Sequence, residues 1–532
     1  MRRRVLTALG VLLLAASFCA RRSAPAPGEA RLRDTMQRHL DGDPPTLDPT
    51  VTNEDFGIRV EDLIFRPLVG FDRQRRFVPA LAKSWAVSSD GLTYDFRLDP
   101  IAHWEDGSPV TSADVAFTIE RVRNPKVPAV QWHWGFEDLA RVETPDPQSI
   151  LVRFQHPLAD RLFAFSLPIV SAAAFGKDPG AMARHPFGTG PYRLESWTPN
   201  QKISLVRRAD APSSQFPIAR VDFLPIPDNA TRFRAGSRGE LDEFKVTRDQ
   251  SAVARRDPDF LAHNVLLKVP QFLTVMVVYN CRNPLLSDRR VRLALARTWP
   301  RQMTALQLYP PDGARLVSGP YPAGAAENAP DVKIPEEDPA AAGRLLDEAG
   351  WKLGSDGWRV RGGKRASIEI LYAAGTPIYA NLAQILKEGY AKVGVELTLR
   401  ALDWAAYSER LAAGDFEIAP YANTFWPPHL DQYLYFHSSQ VPPQGENIGF
   451  YRSAEADRAI EVARAETDET RRLELFRQVH RVLAADPPAD FLYTADQYWG
   501  ISKSLADVAV SEVGLFHFLP GPLAWKRIAP PK

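Results

Sequence analysis

An enzyme of this length would need an activated nucleophile, a working pair of carboxylates or a metal site, and each leaves a recognisable spacing in the chain. No Gly-x-Ser-x-Gly elbow, His-Glu-x-x-His helix or Gly-x-Gly-x-x-Gly turn occurs. Gly362-Gly363-Lys364-Arg365 comes nearest to a phosphate loop. It lacks the leading glycine at the right spacing and the Ser/Thr after the lysine, so it reads as a hairpin turn with a basic tip. Of the ten histidines, His429 and His437 form the one local pair, with no cysteine or third ligand beside them. No metal site is expected from that spacing. Glu336-Glu337 and Asp242-Glu243 are adjacent carboxylates in polar, turn-like settings and read as solvated surface. No catalytic residue, cofactor or metal is therefore expected.

Composition narrows the class further. At 532 residues the chain exceeds the roughly 250–300 at which single cores stop growing, so two or three lobes are expected. Hydrophobic residues at 45% and charged residues at 24% are ordinary globular usage. Lys+Arg 65 against Asp+Glu 64 leaves no global field that would draw nucleic acid or an acidic membrane.

The N-terminus reads as an export signal over residues 1–19: Arg2, Arg3 and Arg4 are followed by an apolar run, Val5 to Ala16, too short to span a bilayer. Ala16-Ser17-Phe18-Cys19 resembles a bacterial lipobox in which Cys19 would carry a lipid, although Phe18 stands where such sites carry a small residue. Localisation is therefore expected in the periplasm or on the outer face of the membrane. Cys281 would then have no intrachain partner. Residues 20–32 read as a linker.

The elements that follow carry clear local signals. Tyr94, Phe96 and Leu98 alternate with polar residues as a strand does, and Thr111 with Asp114 makes a capping box for a helix presenting Val115, Ile119 and Val122. Asp338-Pro339 starts a helix that Gly350 closes, and a second helix near Asn381 to Ala391 leads into the strand Val393, Val395, Leu397, Leu399. Asp403 caps a helix carrying Trp404, Tyr407 and Leu411 that stops at Gly414. A helical stretch is expected from Ala454 to Ala485, interrupted near Asp468. Helix, strand and helix in succession imply an α/β lobe with parallel pairing.

Phe77 to Leu98, His103-Trp104-Glu105-Asp106-Gly107-Ser108-Pro109-Val110-Thr111 and Gly188-Thr189-Gly190-Pro191-Tyr192 closely resemble the family 5 extracellular solute-binding proteins, receptors of oligopeptide, dipeptide, nickel and related ABC importers. Thr46-Leu47-Asp48-Pro49, Asp288 to Arg292, Leu345 to Trp351, Asp403 to Tyr407 and His437 to Gln440 extend the resemblance over about residues 40–520. It implies a periplasmic-binding-protein-like α/β clam with two hinge crossings. Residues 33–70, 188–272 and 499–532 would form lobe 1, residues 71–187 a domain inserted in it, and residues 273–498 lobe 2. The expected partners are a small solute, peptide-like first, and an ABC permease; a monomer is expected.

By position in that family, Thr52, Asn53, Glu54 and Phe56 resemble the first-lobe loop that meets ligand. Tyr421, Asn423, Thr424 and Trp426 resemble the closing segment, and Tyr493 lies near the second crossing. Thr424 stands where peptide receptors place an aspartate for the peptide ammonium. Either Glu54 or Asp431 substitutes, or the solute is instead an oligosaccharide, opine or metal chelate. Pro300, in Thr298-Trp299-Pro300-Arg301, is expected to end its helix early.

Overall fold

The computed structural model describes residues 35–177, 180–309, 314–424, 430–511 and 514–528. The leader with Cys19, and residues 425–429 with Trp426 and His429, lie outside the described residues.

Two large sheets organise the chain. The first has seven strands in the order Asn264–Val269, Gln497–Ser502, Glu243–Val246, Thr35–Leu40, Arg220–Pro225, Lys202–Arg207, Tyr192–Thr198. Thr35–Leu40 runs parallel to Arg220–Pro225, from Thr35 opposite Arg220 to Leu40 opposite Pro225, while the outer pairs are antiparallel. The second has six strands, Arg315–Leu316, Ala489–Thr494, Leu273–Tyr279, Ile418–Thr424, Ser367–Ala373 and Glu396–Leu402. Its parallel pair, Ser367–Ala373 with Glu396–Leu402, needs a long crossover, which the helix Pro377–Ala391 supplies.

Leu273–Tyr279 shows why such strands read as continuous apolar runs. Val275, Val277 and Tyr279 point into one core and Met276 and Val278 into another, on the opposite face. A third, four-stranded sheet holds Thr93–Leu98 beside Ser149–Phe154, with Tyr94, Phe96 and Leu98 buried as their alternation requires.

The chain passes between the two large sheets twice. Asn264–Val269 continues through residues 270–272 into Leu273–Tyr279, and Ala489–Thr494 continues through residues 495–496 into Gln497–Ser502. Asp496, in the second link, meets Lys268 at 3.3 Å and Arg315 at 3.0 Å, one from each sheet.

Local signals are realised as expected. Thr111 and Asp114 form the capping box of Ser112–Arg123. Asp338 accepts from the Ala341 N–H at the start of Pro339–Glu348, and Asp403 from the Ala406 N–H at the start of Trp404–Ala413. Gly414 ends the latter helix at φ +67°, a left-handed conformation that costs glycine little. Asp468 caps Glu469–Ala485 and separates it from Ala454–Ala465. Gly362 and Gly363, both at positive φ, make the two-residue turn between Arg359–Arg361 and Lys364–Arg365. Pro300 separates the helices Arg289–Leu295 and Arg301–Leu308.

Asp242-Glu243 is a correction. The pair is buried, not solvated: Glu243 sits between Arg38 and Arg59, and Asp242 pairs with Arg527 at 2.6 Å. Three arginines distant in sequence neutralise these carboxylates, and nothing in the local pattern announces them.

Candidate functional site

The loop that precedes the helix Asp55–Ile64 carries the first group of expected site residues. Its position is set from the far end of that helix, where Gly188 and Gly190 let the chain lie against the helix terminus: the Gly190 N–H donates to the Ile64 carbonyl at 2.6 Å. Thr52 is buried, its hydroxyl 2.5 Å from Glu61 Oε1 and 2.9 Å from the Asp48 carbonyl, so it ties the loop to the helix. Burial pushes Glu61 well above the usual carboxylate range, against the Thr52 hydrogen bond and with Asp62, Glu54 and Asp48 adding to the rise.

Asn53 is exposed, and its N–H donates to Glu54 Oε2 at 3.3 Å. The other Glu54 oxygen is enclosed and has no hydrogen-bond partner among the described residues, and burial raises this carboxyl. Phe56 packs partly buried against the first sheet's core. Beside this loop His517 lies between Asp62 at 2.8 Å and Asp55 at 3.1 Å. Burial alone would lower its pKa, but the two carboxylates outweigh that and it is pushed up to about 10.

The strand Ile418–Thr424 carries the second group of expected site residues and forms a wall of its own. Tyr421 and Asn423 share one face of it, as the two-residue period requires. The Tyr421 hydroxyl donates to Glu446 Oε2 at 3.1 Å, and the Tyr435 hydroxyl donates to the Thr424 carbonyl at 3.1 Å. Glu446 touches solvent yet is crowded by protein; burial raises its pKa, with the Tyr421 hydrogen bond opposing. Tyr421, Asn423, Tyr435 and Glu446 surround a space of about 10 Å³, near the size that admits one water. Asn423 is 2% exposed and its Nδ2 has no acceptor among the described residues. The Thr424 side chain is exposed.

Two other positions are committed elsewhere. Asp431 is buried, pairs with Arg464 and accepts from the Tyr433 N–H at 2.9 Å, so it has little left to offer a solute. Tyr493 is 1% exposed within the second core, its ring edge-on to Tyr309 at 5.0 Å. Glu446 and Tyr435 were missed in the sequence. The only nearby signal was the His437-Ser438-Ser439-Gln440 motif, and Glu446 reaches the wall because its N–H donates to the Leu434 carbonyl at 2.9 Å.

The bodies built on the sheets touch. The Ala159 N–H donates to the Arg464 carbonyl at 2.9 Å, Asp160 lies 3.8 Å from Arg472, and Arg75 stacks over Phe272 at 5.1 Å. Among the described residues no group of three His, Cys, Asp or Glu could hold a metal, and no helix is long and apolar enough to cross a membrane. Cys281 is half-buried, and burial pushes its thiol up to about 11, away from the reactive thiolate. What these walls can do is recognise: carboxyls, tyrosine faces and an unsatisfied amide suit a cationic, hydrogen-bonding solute.

Two sheets joined by two crossings, with polar and aromatic walls on each, define a binding protein of the two-lobed periplasmic type. The chain matches the family of bacterial extracellular solute-binding proteins, family 5 Middle, over residues 76–444, and it belongs to that family. It is 25% identical over 493 residues to the oligopeptide-binding protein AppA of Bacillus subtilis, covering 87% of each chain. Among solved structures it resembles NikZ from Campylobacter jejuni in complex with Ni(L-His), with a TM-score of 0.80, 24% identity and coverage of 93% of this chain and 100% of that one. AppA in complex with a nonapeptide gives a TM-score of 0.76 at 22% identity, covering 93% and 99%. The expected α/β, two-lobed fold class is thereby established.

Proposed function

We propose that the protein is the extracytoplasmic receptor of an ABC importer, capturing a peptide or similar oligomeric solute between its lobes and delivering it to the permease, without covalent chemistry. The carrying observation is Glu446: a crowded, solvent-touched carboxyl held by Tyr421 and flanked by Tyr435, on the same wall as Thr424. A peptide ammonium entering a closed cleft needs an anionic partner, and Glu446 supplies one where Thr424 does not. Glu54, with its unpartnered oxygen, offers a second on the opposite wall. The likeness to an oligopeptide-binding protein supports the same reading.

In this reading residues 33–70, 188–272 and 499–532 form lobe 1, residues 71–187 its inserted domain and residues 273–498 lobe 2, hinged at the links 270–272 and 495–496. Asn53, Glu54, Tyr421, Asn423 and Thr424 meet solute, with Trp426 completing the closing segment. Thr52 and Phe56 position the loop, and Tyr493 supports the wall from behind. A solute touching both walls favours the closed state by its differential affinity. The leader directs export and Cys19 carries the anchor.

The test is calorimetric titration with a free tripeptide, its N-acetylated form and an oligosaccharide. The free peptide should bind at least about tenfold more tightly than the acetylated one, and Glu446→Gln should erase that difference. Equal binding of both peptides, or binding of the sugar alone, would turn the assignment toward a neutral solute.

A further inference from the structure

The body built on the four-stranded sheet is fixed to the first large sheet. Arg208, 7% exposed just past the strand Lys202–Arg207, donates to the Trp104 carbonyl at 3.0 Å, and Arg121 of the helix Ser112–Arg123 meets Asp48 at 2.6 Å. Phe187 packs against both cores and stacks on Trp104 at 5.6 Å. The two therefore move as one.

Two turns of the same body reach the second large sheet's side. The turn after Ser149–Phe154 donates the Ala159 N–H to the Arg464 carbonyl at 2.9 Å and sets Asp160 3.8 Å from Arg472. The turn between Ala82–Val87 and Thr93–Leu98 comes so close that a Cβ on Gly91 would lie 3.3 Å from Thr467 Cγ2. Arg464, Thr467 and Arg472 span the junction of the helices Ala454–Ala465 and Glu469–Ala485, whose buried faces join the second sheet's core. Arg464 is itself held by Asp431 and lies over Tyr433 at 3.8 Å, so the acceptor stands on a fixed support.

Glu327 faces the same seam from the second sheet's side and is 9% exposed. Burial raises its carboxyl; the charges acting on it are Arg75 and Asp160 from across the seam and Arg472 from its own side. None of these residues lies in the links 270–272 and 495–496. A rotation about those links must break the Ala159 hydrogen bond and draw Arg75 and Asp160 away from Glu327 and Arg472. A small polar seam suits that motion, because its groups are readily hydrated when the bodies part. None of these residues borders the space around Tyr421 and Glu446, so the seam bears on closure without touching a solute there.

We propose that the domain built on the four-stranded sheet is a clasp: by gripping the junction of Ala454–Ala465 and Glu469–Ala485 it favours the closed cleft over the open one, with or without solute. The proposal rests on the reading of the two links as a hinge and not on which solute is captured.

The test compares the parent with Arg472→Glu, which sets another carboxylate against Asp160 and Glu327, and with Thr467→Trp, which wedges the Gly91 turn away. A glutamate at position 472 is favourable in the first turn of its helix, so opening would not come from a damaged helix. X-ray scattering of the solute-free mature chain should find both variants more expanded than the parent and Arg472→Lys unchanged. One backbone hydrogen bond and a partly exposed ion pair correspond to a shift of about two- to tenfold in the open–closed balance. Ala-Ala-Phe should accordingly bind both opened variants about two- to tenfold more weakly, through faster dissociation, and should return saturated Arg472→Glu to the parent's shape. If the peptide does not bind the parent, that failure belongs to the solute assignment, and scattering alone decides the clasp. Solute-free Arg472→Glu and Thr467→Trp as compact as the parent would overturn the proposal, as would an Arg472→Lys protein as expanded as Arg472→Glu.

Discussion

Asp55 and Asp62 lie on one face of the same helix, and His517 reaches both from the far end of the chain. Because the folded imidazole titrates near 10 and the unfolded one near 6.5, the interaction contributes its full stability below about pH 6.5 and loses it as the pH rises through about 10. His517→Gln should therefore cost about 1–3 kcal/mol at pH 6 and progressively less toward pH 10. Urea unfolding of both proteins across that range checks it; a gap independent of pH would show that the ion pairs contribute nothing. This trio was not legible in the sequence, since spacing places the two aspartates together but cannot bring in a histidine from a remote loop. Glu446 was hidden for the same reason, and Asp242-Glu243 looked solvated because its arginine partners come from other strands and from the C-terminal end. Thr52, Asn53 and Glu54 were found through family resemblance, which locates a loop but not the direction in which Thr52 points.

Helix starts and stops were the readable part of the fold, because a cap is a contact between residues three or four apart. Asp468 is such a case: its carboxylate accepts from the Arg471 N–H, and Asp468→Ala should cost about 1 kcal/mol without moving either helix. Gly188 belongs to a different class. A Cβ there would lie 2.0 Å from the Ile64 carbonyl oxygen, a backbone atom that cannot rotate away. Gly188→Ala should cost about 3 kcal/mol, above any loss expected from helix propensity, because it pries the chain off the end of the helix that carries the Thr52–Phe56 loop. Thermal unfolding of the two variants separates the cases, and a Gly188→Ala protein as stable as the parent would remove the close-approach argument. That the glycines of the Gly-Thr-Gly-Pro-Tyr stretch are there for a neighbouring helix is a tertiary fact.

At the scale of the molecule, the pairings that make the two large sheets join residues too far apart for any periodicity to reveal. Thr35–Leu40 lies between strands that begin at Arg220 and Glu243, and Glu243–Val246 pairs with Gln497–Ser502. Only the family resemblance announced that the chain would cross twice. At one crossing, Asp496 holds Lys268 from the first sheet and Arg315 from the second, in a structure whose two bodies are already in contact. If the links are the hinge, this carboxylate favours the closed arrangement over the open one. Both cationic partners are 42% exposed, so each pair is worth at most about 1 kcal/mol. Asp496→Asn should then shift the open–closed balance by a few-fold, weaken apparent solute affinity by the same factor, and leave global stability nearly unchanged. X-ray scattering should find the ligand-free variant more expanded than the parent and the saturated forms identical. Unaltered scattering together with unaltered affinity would place the hinge control elsewhere, whereas weaker binding in the saturated shape of the parent would tie capture to motion about these two links.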